Sequence, residues 1–242
     1  MHRCFAQKHF NIGDSVQITG DEAVHIQRVL RLSSGDEIEL FNGEGLVAQS
    51  VIESVSKQFL EVKIQSVFES EAEPKTKIVL FQGIAKEAKM DYIIQKATEL
   101  GITEIVPVET EFSVVKIKDP LKKTERWQKI AFEAAKQCKR ATVPKVKEPV
   151  AFQRAIELLK QNEIFFAPYE AAKCGSVKDI AFGKNPQSAG YIIGPEGGFS
   201  EKEASSFLSE NIPLVTLGKR ILRTETAATA VLAVLMFCFG EI

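Results

Sequence analysis

Apolar residues run along this chain in two different rhythms. Up to about residue 70 they alternate with polar ones. Asp36-Glu37-Ile38-Glu39-Leu40-Phe41 sets an apolar side chain at every second position, Asn42-Gly43 marks a hairpin turn, and a further alternating run covers 60–64. A period of two belongs to strands with one solvated face. One short helix is predicted around 22–30. This part of the chain reads as a small β-rich barrel. Gly43-Glu44-Gly45-Leu46-Val47-Ala48 satisfies a dinucleotide-binding fingerprint on paper, but it runs into the alternating residues Ser50, Val51 and Ile52. No helix follows, which rules that reading out.

Glu69-Ser70-Glu71-Ala72-Glu73-Pro74 is polar and ends in proline, so it divides the chain into a first domain over 1–72 and a second over 73–242. Beyond it, short apolar runs and helical periodicity take turns. Strands are predicted over 77–83, 104–108, 164–167, 191–194 and 214–218. Helices are predicted over 90–100, with Gly101 as C-cap, and over 121–139, with an apolar face of Ile130, Phe132, Ala134 and Ala135. That succession calls for an α/β domain with a mostly parallel sheet. The apolar run over 227–239 is too short to span a bilayer and predicts a buried helix, with no membrane partner.

The candidate chemistry lies near the C-terminus. Gly194-Pro195-Glu196-Gly197-Gly198-Phe199-Ser200 follows the apolar Tyr191-Ile192-Ile193. Leu217-Gly218-Lys219-Arg220-Ile221-Leu222-Arg223-Thr224-Glu225-Thr226-Ala227 leads into the last apolar stretch. Both read as strand, glycine-bearing loop, helix. Glycine permits positive φ and close approach of a ligand to the backbone, and Ser200-Glu201-Lys202-Glu203 has the spacing of a capping box. A plain strand-to-helix turn would also contain Gly and Pro. The second loop weighs against that, because Arg223, Thr224, Glu225 and Thr226 crowd a helix start with hydrogen-bonding groups. Two such loops at the ends of neighbouring strands suit a nucleotide-like ligand.

Net charge is only −1, but it is unevenly spread: residues 1–72 hold 6 basic and 11 acidic side chains, and residues 75–147 hold 16 basic and 9 acidic. The middle of the chain is therefore the electrostatic candidate for a phosphate backbone. Lys129, Lys136, Lys139 and Arg140 sit mostly at helical spacing and can share a face. A solvated helix surface is the plainer alternative. Cys4, Cys138, Cys174 and Cys238 are scattered, without CxxC pairs, and read as incidental or buried reduced thiols, with no metal site expected. No leader peptide is expected, and no P-loop pattern occurs.

Taken in order, His25-Ile26-Gln27-Arg28-Val29-Leu30-Arg31, Lys96-Ala97-Thr98-Glu99-Leu100-Gly101, Arg126-Trp127-Gln128-Lys129-Ile130, Glu133-Ala134-Ala135-Lys136-Gln137-Cys138-Lys139-Arg140 and the two glycine loops resemble the SPOUT superfamily of RNA methyltransferases, and within it the bacterial RsmE family. The resemblance covers nearly the whole chain. It implies S-adenosylmethionine-dependent methylation of a uridine N3 in 16S ribosomal RNA, within the small ribosomal subunit, by a cytoplasmic homodimer. It also implies an N-terminal PUA-like barrel and a SPOUT domain whose C-terminal segment forms a trefoil knot. The cofactor would be held by Gly194, Pro195, Glu196, Gly197, Gly198, Leu217, Gly218 and Thr226, with Ile221 and Leu222 as an apolar wall. Arg223 would stabilise a uracil anion. Glu225 is either a base or orienting group, or a simple cap of the last helix. His25, Arg28 and Arg31 would meet RNA phosphate, with a structural hydrogen-bonding role the alternative for His25. Lys86, Lys89, Lys136 and Arg140 are further RNA candidates, while Arg126-Trp127 reads as packing plus a surface charge. A related SPOUT enzyme with another target, and a non-catalytic ribosome-binding factor, are the competing readings. The second has no use for the glycine loops.

Overall fold

The computed structural model describes residues 2–56, 58–173 and 175–242. They form two compact units. One comprises the chain up to Glu73 together with Ala135–Val143, the other Pro74–Ala134 with Pro144–Ile242. Residues 135–143, which a cut at 72/73 leaves in the second domain, thus pack with the first.

In the first unit, β1 (His2–Phe5), β2 (Ser15–Thr19), β3 (Glu37–Phe41), β4 (Leu46–Val55) and β5 (Phe59–Glu69) form one sheet in the order β1-β3-β4-β5-β2. Only the β1–β3 pairing is parallel. The alternation has its expected consequence: Ile38, Leu40, Leu60, Val62 and Ile64 share one core with Ala48 and Ile52. The hairpin loop is longer than Asn-Gly alone suggests. It spans four residues because Asn42 Oδ1 accepts the backbone N–H of both Glu44 (2.9 Å) and Leu46 (3.0 Å). The helix predicted over 22–30 is split into α1 (Gly20–Val24) and a π-helical turn, His25–Leu30, which ends at Arg31 in the left-handed region with φ 57°.

The segment 135–143 is held by backbone bonds, Gly45 N–H to the Ala141 carbonyl (3.2 Å) and Val143 N–H to the Gly43 carbonyl (3.0 Å), and by a carboxylate that gathers four donors. Glu73 Oε2 accepts from Arg140 Nε (3.1 Å) and Nη2 (2.9 Å), and Oε1 accepts the N–H groups of Ala141 (2.8 Å) and Thr142 (2.9 Å). Arg140 is 3% exposed. The cation expected on an RNA-facing surface is instead spent inside the fold. Lys136 is likewise paired, with Glu22. The shared basic face also fails on geometry. The long helix α3 (Pro120–Gln137) stops before Lys139, whose φ of 66° turns the chain and sends Arg140 inward.

The second unit is a parallel sheet of β6 (Lys77–Gly83), β7 (Glu104–Glu109), β8 (Lys145–Val146), β9 (Val150–Ala151), β10 (Ile164–Pro168), β11 (Ser188–Ile193) and β12 (Leu214–Val215). The order is β12-β10-β11-β6-β7-β8, with β9 also on β7. Helices α2 (Glu87–Glu99), α4 (Phe152–Leu159), α5 (Val177–Ala181), α6 (Glu201–Ser209) and α7 (Thr224–Cys238) join α3 around it. Six of the seven residues of β6 are buried, as in a sheet covered on both faces. Phe81 and Ile192 face α4 and α6, in a core with Ile156 and Phe207. Their neighbour Tyr191 points to the other face, where its hydroxyl donates to the Ala228 carbonyl of α7 (2.9 Å). Trp127 is fully buried and Arg126 exposed, paired with Asp91 and Glu87, as expected of that dipeptide. Among the described residues no helix is long and apolar enough to cross a membrane. Cys4 is buried and Cys138 and Cys238 are half-buried thiols; Cys174 lies outside the described residues.

Candidate active site

Three loops meet at the C-terminal ends of β10, β11 and β12 around a cavity of about 290 Å³. Open α/β sheets bind ligands on this edge, outside the carboxyl ends of their strands. The two glycine loops are not on adjacent strands, since β10 runs between β11 and β12. The turn after β10, Pro168-Tyr169-Glu170, therefore fills the space between them and lines the same cavity.

Each loop has a local cause. In the first, a Cβ on Gly194 would stand 2.9 Å from the Gly198 carbonyl carbon, so only glycine lets the loop fold back on itself. Gly198 has φ 71° and its N–H closes the turn on the Pro195 carbonyl (3.0 Å). On the outer side, a Cβ on Gly197 would meet Phe112 Cβ at 2.9 Å. The predicted capping box is present in both halves: Ser200 N–H donates to Glu203 Oε2 (2.9 Å) and Glu203 N–H to Ser200 Oγ (3.2 Å). In the second loop, Gly218 has φ 99° and open space around it, and its N–H donates to Thr216 Oγ1 (3.2 Å).

The loops are tied together beneath the cavity. Thr224, at the start of α7, donates from Oγ1 to the Gly194 carbonyl (2.6 Å) and accepts from Gln82 Nε2 (3.0 Å). All three residues are buried. Sequence reasoning missed Gln82, because a glutamine inside an apolar strand carries no motif; its burial opposite two loop groups is visible only in three dimensions.

Ten of the proposed cofactor-binding and catalytic residues line the cavity: Gly194, Pro195, Glu196, Gly197, Gly198, Leu217, Gly218, Ile221, Leu222 and Arg223. Ile221 is 86% exposed and stands at the mouth, while Leu222 is half-buried. Arg223 caps α7 with an exposed side chain. Thr226 is exposed on the first turn of α7, outside the lining. Glu225 is half-buried beside it, and its Oε2 lies 3.4 Å from Lys89 Nζ. Lys89 also stands 3.6 Å from Glu196 Oε1 and lines the cavity. The sequence suggests an RNA contact, but the side chain stands between two carboxylates of the site. Lys86 is exposed, and its backbone N–H donates to Glu196 Oε1 (3.1 Å). Burial pushes the Glu196 carboxyl up, but the backbone N–H groups of Glu196 and Lys86, with the Lys89 ammonium, outweigh it and hold the group below the ordinary carboxylate range. In the other unit His25, Arg28 and Arg31 are all exposed.

Sequence reasoning also missed Tyr169, Glu170 and Thr216, which line the cavity. The turn after β10 contains no glycine signature. Thr216, two residues before Gly218, could have been found as a local side-chain-to-backbone turn. Among the described residues no group of His, Cys, Asp and Glu is arranged to hold a metal ion. The cavity suits an adenosine-bearing cofactor: it has a glycine-walled floor where a Cβ would collide with backbone, apolar side chains at Ile193 and Leu222, and side chains of both signs.

Comparison with known proteins agrees with that chemistry. Residues 71–236 match the family model of an RNA methyltransferase domain, and residues 18–65 that of an RNA methyltransferase PUA domain. The chain is 34% identical over 227 residues to the ribosomal RNA small subunit methyltransferase E of Bacillus subtilis, covering 91% of this chain and 89% of the relative. Its fold is similar to a methyltransferase from Legionella pneumophila solved with bound S-adenosylmethionine (TM-score 0.87, 33% identity, 97% and 96% covered). It is equally similar to the ribosomal RNA small subunit methyltransferase E of Neisseria gonorrhoeae bound to S-adenosylmethionine (TM-score 0.86, 32% identity, 98% and 97% covered).

Proposed function

The chain belongs to the RNA methyltransferase family that includes the ribosomal RNA small subunit methyltransferases E, and from this we propose that it methylates N3 of a uridine in 16S ribosomal RNA, using S-adenosylmethionine. The observation that carries the reading is the cavity framed by two glycine loops at the sheet's C-terminal edge. A factor that only bound the ribosome would have no need of it.

When bound, S-adenosylmethionine supplies an already activated methyl group. The chain's own task is placement and help for a poor nucleophile. Backbone groups of Gly194, Gly197, Gly198, Leu217 and Gly218 hold the cofactor, with Pro195 and Glu196 shaping the first loop and Leu222 the apolar wall. Uridine N3 carries a proton and faces its pairing partner in a duplex, so the base must be unpaired or extruded. Arg223 stands at the cavity mouth, where a delocalised cation suits the spread charge of a deprotonated uracil. Glu225, beside Lys89, accepts the proton or orients the base. Thr226, on the same turn of α7, completes the approach.

We assign the first unit to RNA binding through the exposed His25, Arg28 and Arg31, with Lys86 contributing from the second. We take the C-terminal segment to form the trefoil knot that the family resemblance implies, its loops tied by Thr224 to Gly194 and Gln82, and the five-stranded sheet supports a PUA-like barrel. Val234 and Phe237, exposed on the otherwise apolar α7, support a two-fold dimer. The substrate places the enzyme in the cytoplasm with the small ribosomal subunit. Mass spectrometry of ribosomal RNA nucleosides from a deletion strain tests the function: one methyluridine should be lost and restored by the gene, and an unchanged nucleoside profile refutes the assignment.

A further inference from the structure

Glu170 is a carboxylate on the cavity wall with no ion pair or hydrogen bond among the described residues. Its position is set by backbone. Tyr169 N–H donates to the Val215 carbonyl of β12 (3.0 Å), and Ala172 N–H closes the turn on the Tyr169 carbonyl (3.1 Å). The carboxylate is aimed across at the first glycine loop, with its two oxygens 3.3 and 3.4 Å from the point a Cβ on Gly198 would occupy. Glycine at 198, at φ 71°, thus leaves room beside this group. The remaining charges of the lining are distributed unevenly. Lys219, Arg220 and Arg223 all come from the loop after β12, while Glu196, the other carboxylate of the lining, is engaged with Lys86 N–H and Lys89. Glu170 is the acid the cavity leaves available.

A cofactor whose methionyl end carries a sulfonium, an ammonium and a carboxylate needs complements of both signs. The basic loop after β12 can meet the carboxylate. On the reading that this cavity holds S-adenosylmethionine, we propose that Glu170 is the residue that recognises the positive charge of its methionyl end. A carboxylate that prefers a cationic ligand also gives the site a means of discriminating the sulfonium cofactor from adenosine thioethers by charge. Because the side chain is exposed, the expected effect is that of a partly solvated ion pair, about fivefold in affinity.

The test measures binding by calorimetry of three ligands to the wild-type protein and to Glu170→Gln and Glu170→Asp. S-adenosylmethionine carries both cationic centres, S-adenosylhomocysteine only the ammonium, and methylthioadenosine neither. Glu170→Gln should weaken S-adenosylmethionine about fivefold and leave methylthioadenosine unchanged, with Glu170→Asp intermediate. An equal loss for S-adenosylhomocysteine assigns the contact to the ammonium, and no loss for it assigns the contact to the sulfonium. Equal weakening of all three ligands, or of none, overturns the proposal. A wild-type protein that binds none of them would instead refute the cofactor reading beneath it.

Discussion

Gly194→Ala tests the cradle where the first loop folds back on its own backbone. The added methyl would stand 2.9 Å from the Gly198 carbonyl carbon, 3.1 Å from its Cα and 3.2 Å from its oxygen. Carbon atoms in ordinary contact keep about 3.5–4.0 Å apart, so the two limbs of the loop must part by at least about 0.6 Å. Neither limb moves freely. Gly194 holds Thr224 through its carbonyl at 2.6 Å, and Gly198 is closed on Pro195 at 3.0 Å. Overpacking of this kind costs about 1–3 kcal/mol. In a chain of this size each kcal/mol lowers Tm by about 2–4 °C, so a fall of about 2–12 °C is expected. Binding should suffer more. A shift of that size stretches a 2.9 Å hydrogen bond past its useful range. Two such bonds at about 0.5–1.5 kcal/mol each correspond to about 5- to 150-fold in S-adenosylmethionine affinity. Gly183→Ala is the control: its φ is 72°, nothing lies within 4 Å, and it is outside the cavity. It should cost about 1–2 kcal/mol of strain and no affinity. Calorimetric titration and thermal melting of both variants suffice. A folded Gly194→Ala protein with wild-type affinity refutes the placement of the cofactor on this loop.

Arg223→Ala should bind cofactor and RNA nearly normally yet methylate about a hundred- to a thousandfold more slowly in single turnovers, with Arg223→Lys recovering part of the rate; a near-wild-type rate removes Arg223 from the chemistry. A double Arg28→Glu, Arg31→Glu variant should bind RNA more weakly and with a shallower salt dependence, cofactor affinity being intact, and an unchanged salt slope excludes this helical turn as an RNA contact. Glu196 has a folded pKa below its ordinary 4.5, so its hold on Lys86 and Lys89 is complete above that value and is lost as pH falls through the lower folded value. Cofactor affinity followed from pH 6 downward to below pH 4.5 should therefore fall at the acid end in the wild type and stay flatter in Glu196→Gln; identical profiles for the two proteins would exclude that anchoring role.

Much of this architecture can be read from local pattern. The strand β6 covers the predicted 77–83, because both faces of a parallel strand are covered and its middle, 78–81, is uninterruptedly apolar. The capping box at Ser200 and the left-handed Gly101 are equally local, each decided within four residues. The failures are contacts between distant parts of the chain. Arg140 looks like one more cation of a basic helix until Glu73, 67 residues earlier, is found under it. The helix α3 ends at Gln137, short of the predicted 139, because Lys139, not a glycine, takes the left-handed turn. Glu170 joins the site only because β10 comes to lie between β11 and β12, an ordering that no local signal in the sequence specifies.

The carboxylate of Glu73 has a consequence for how the chain reaches its fold. Its four partners all lie at 140–142, so the first unit is discontinuous. During synthesis the strands β1 to β5 leave the ribosome long before the segment that completes them, and β6, α2, β7 and α3 must emerge in between. Domains that are contiguous in sequence can fold in order, N-terminal first. Here the first unit must wait for chain belonging to the second, and closing so long a loop is slow by comparison with local pairing. A fragment ending at residue 73 would lack all four donors described for Glu73, and an excised first unit would need 135–143 grafted back to be whole.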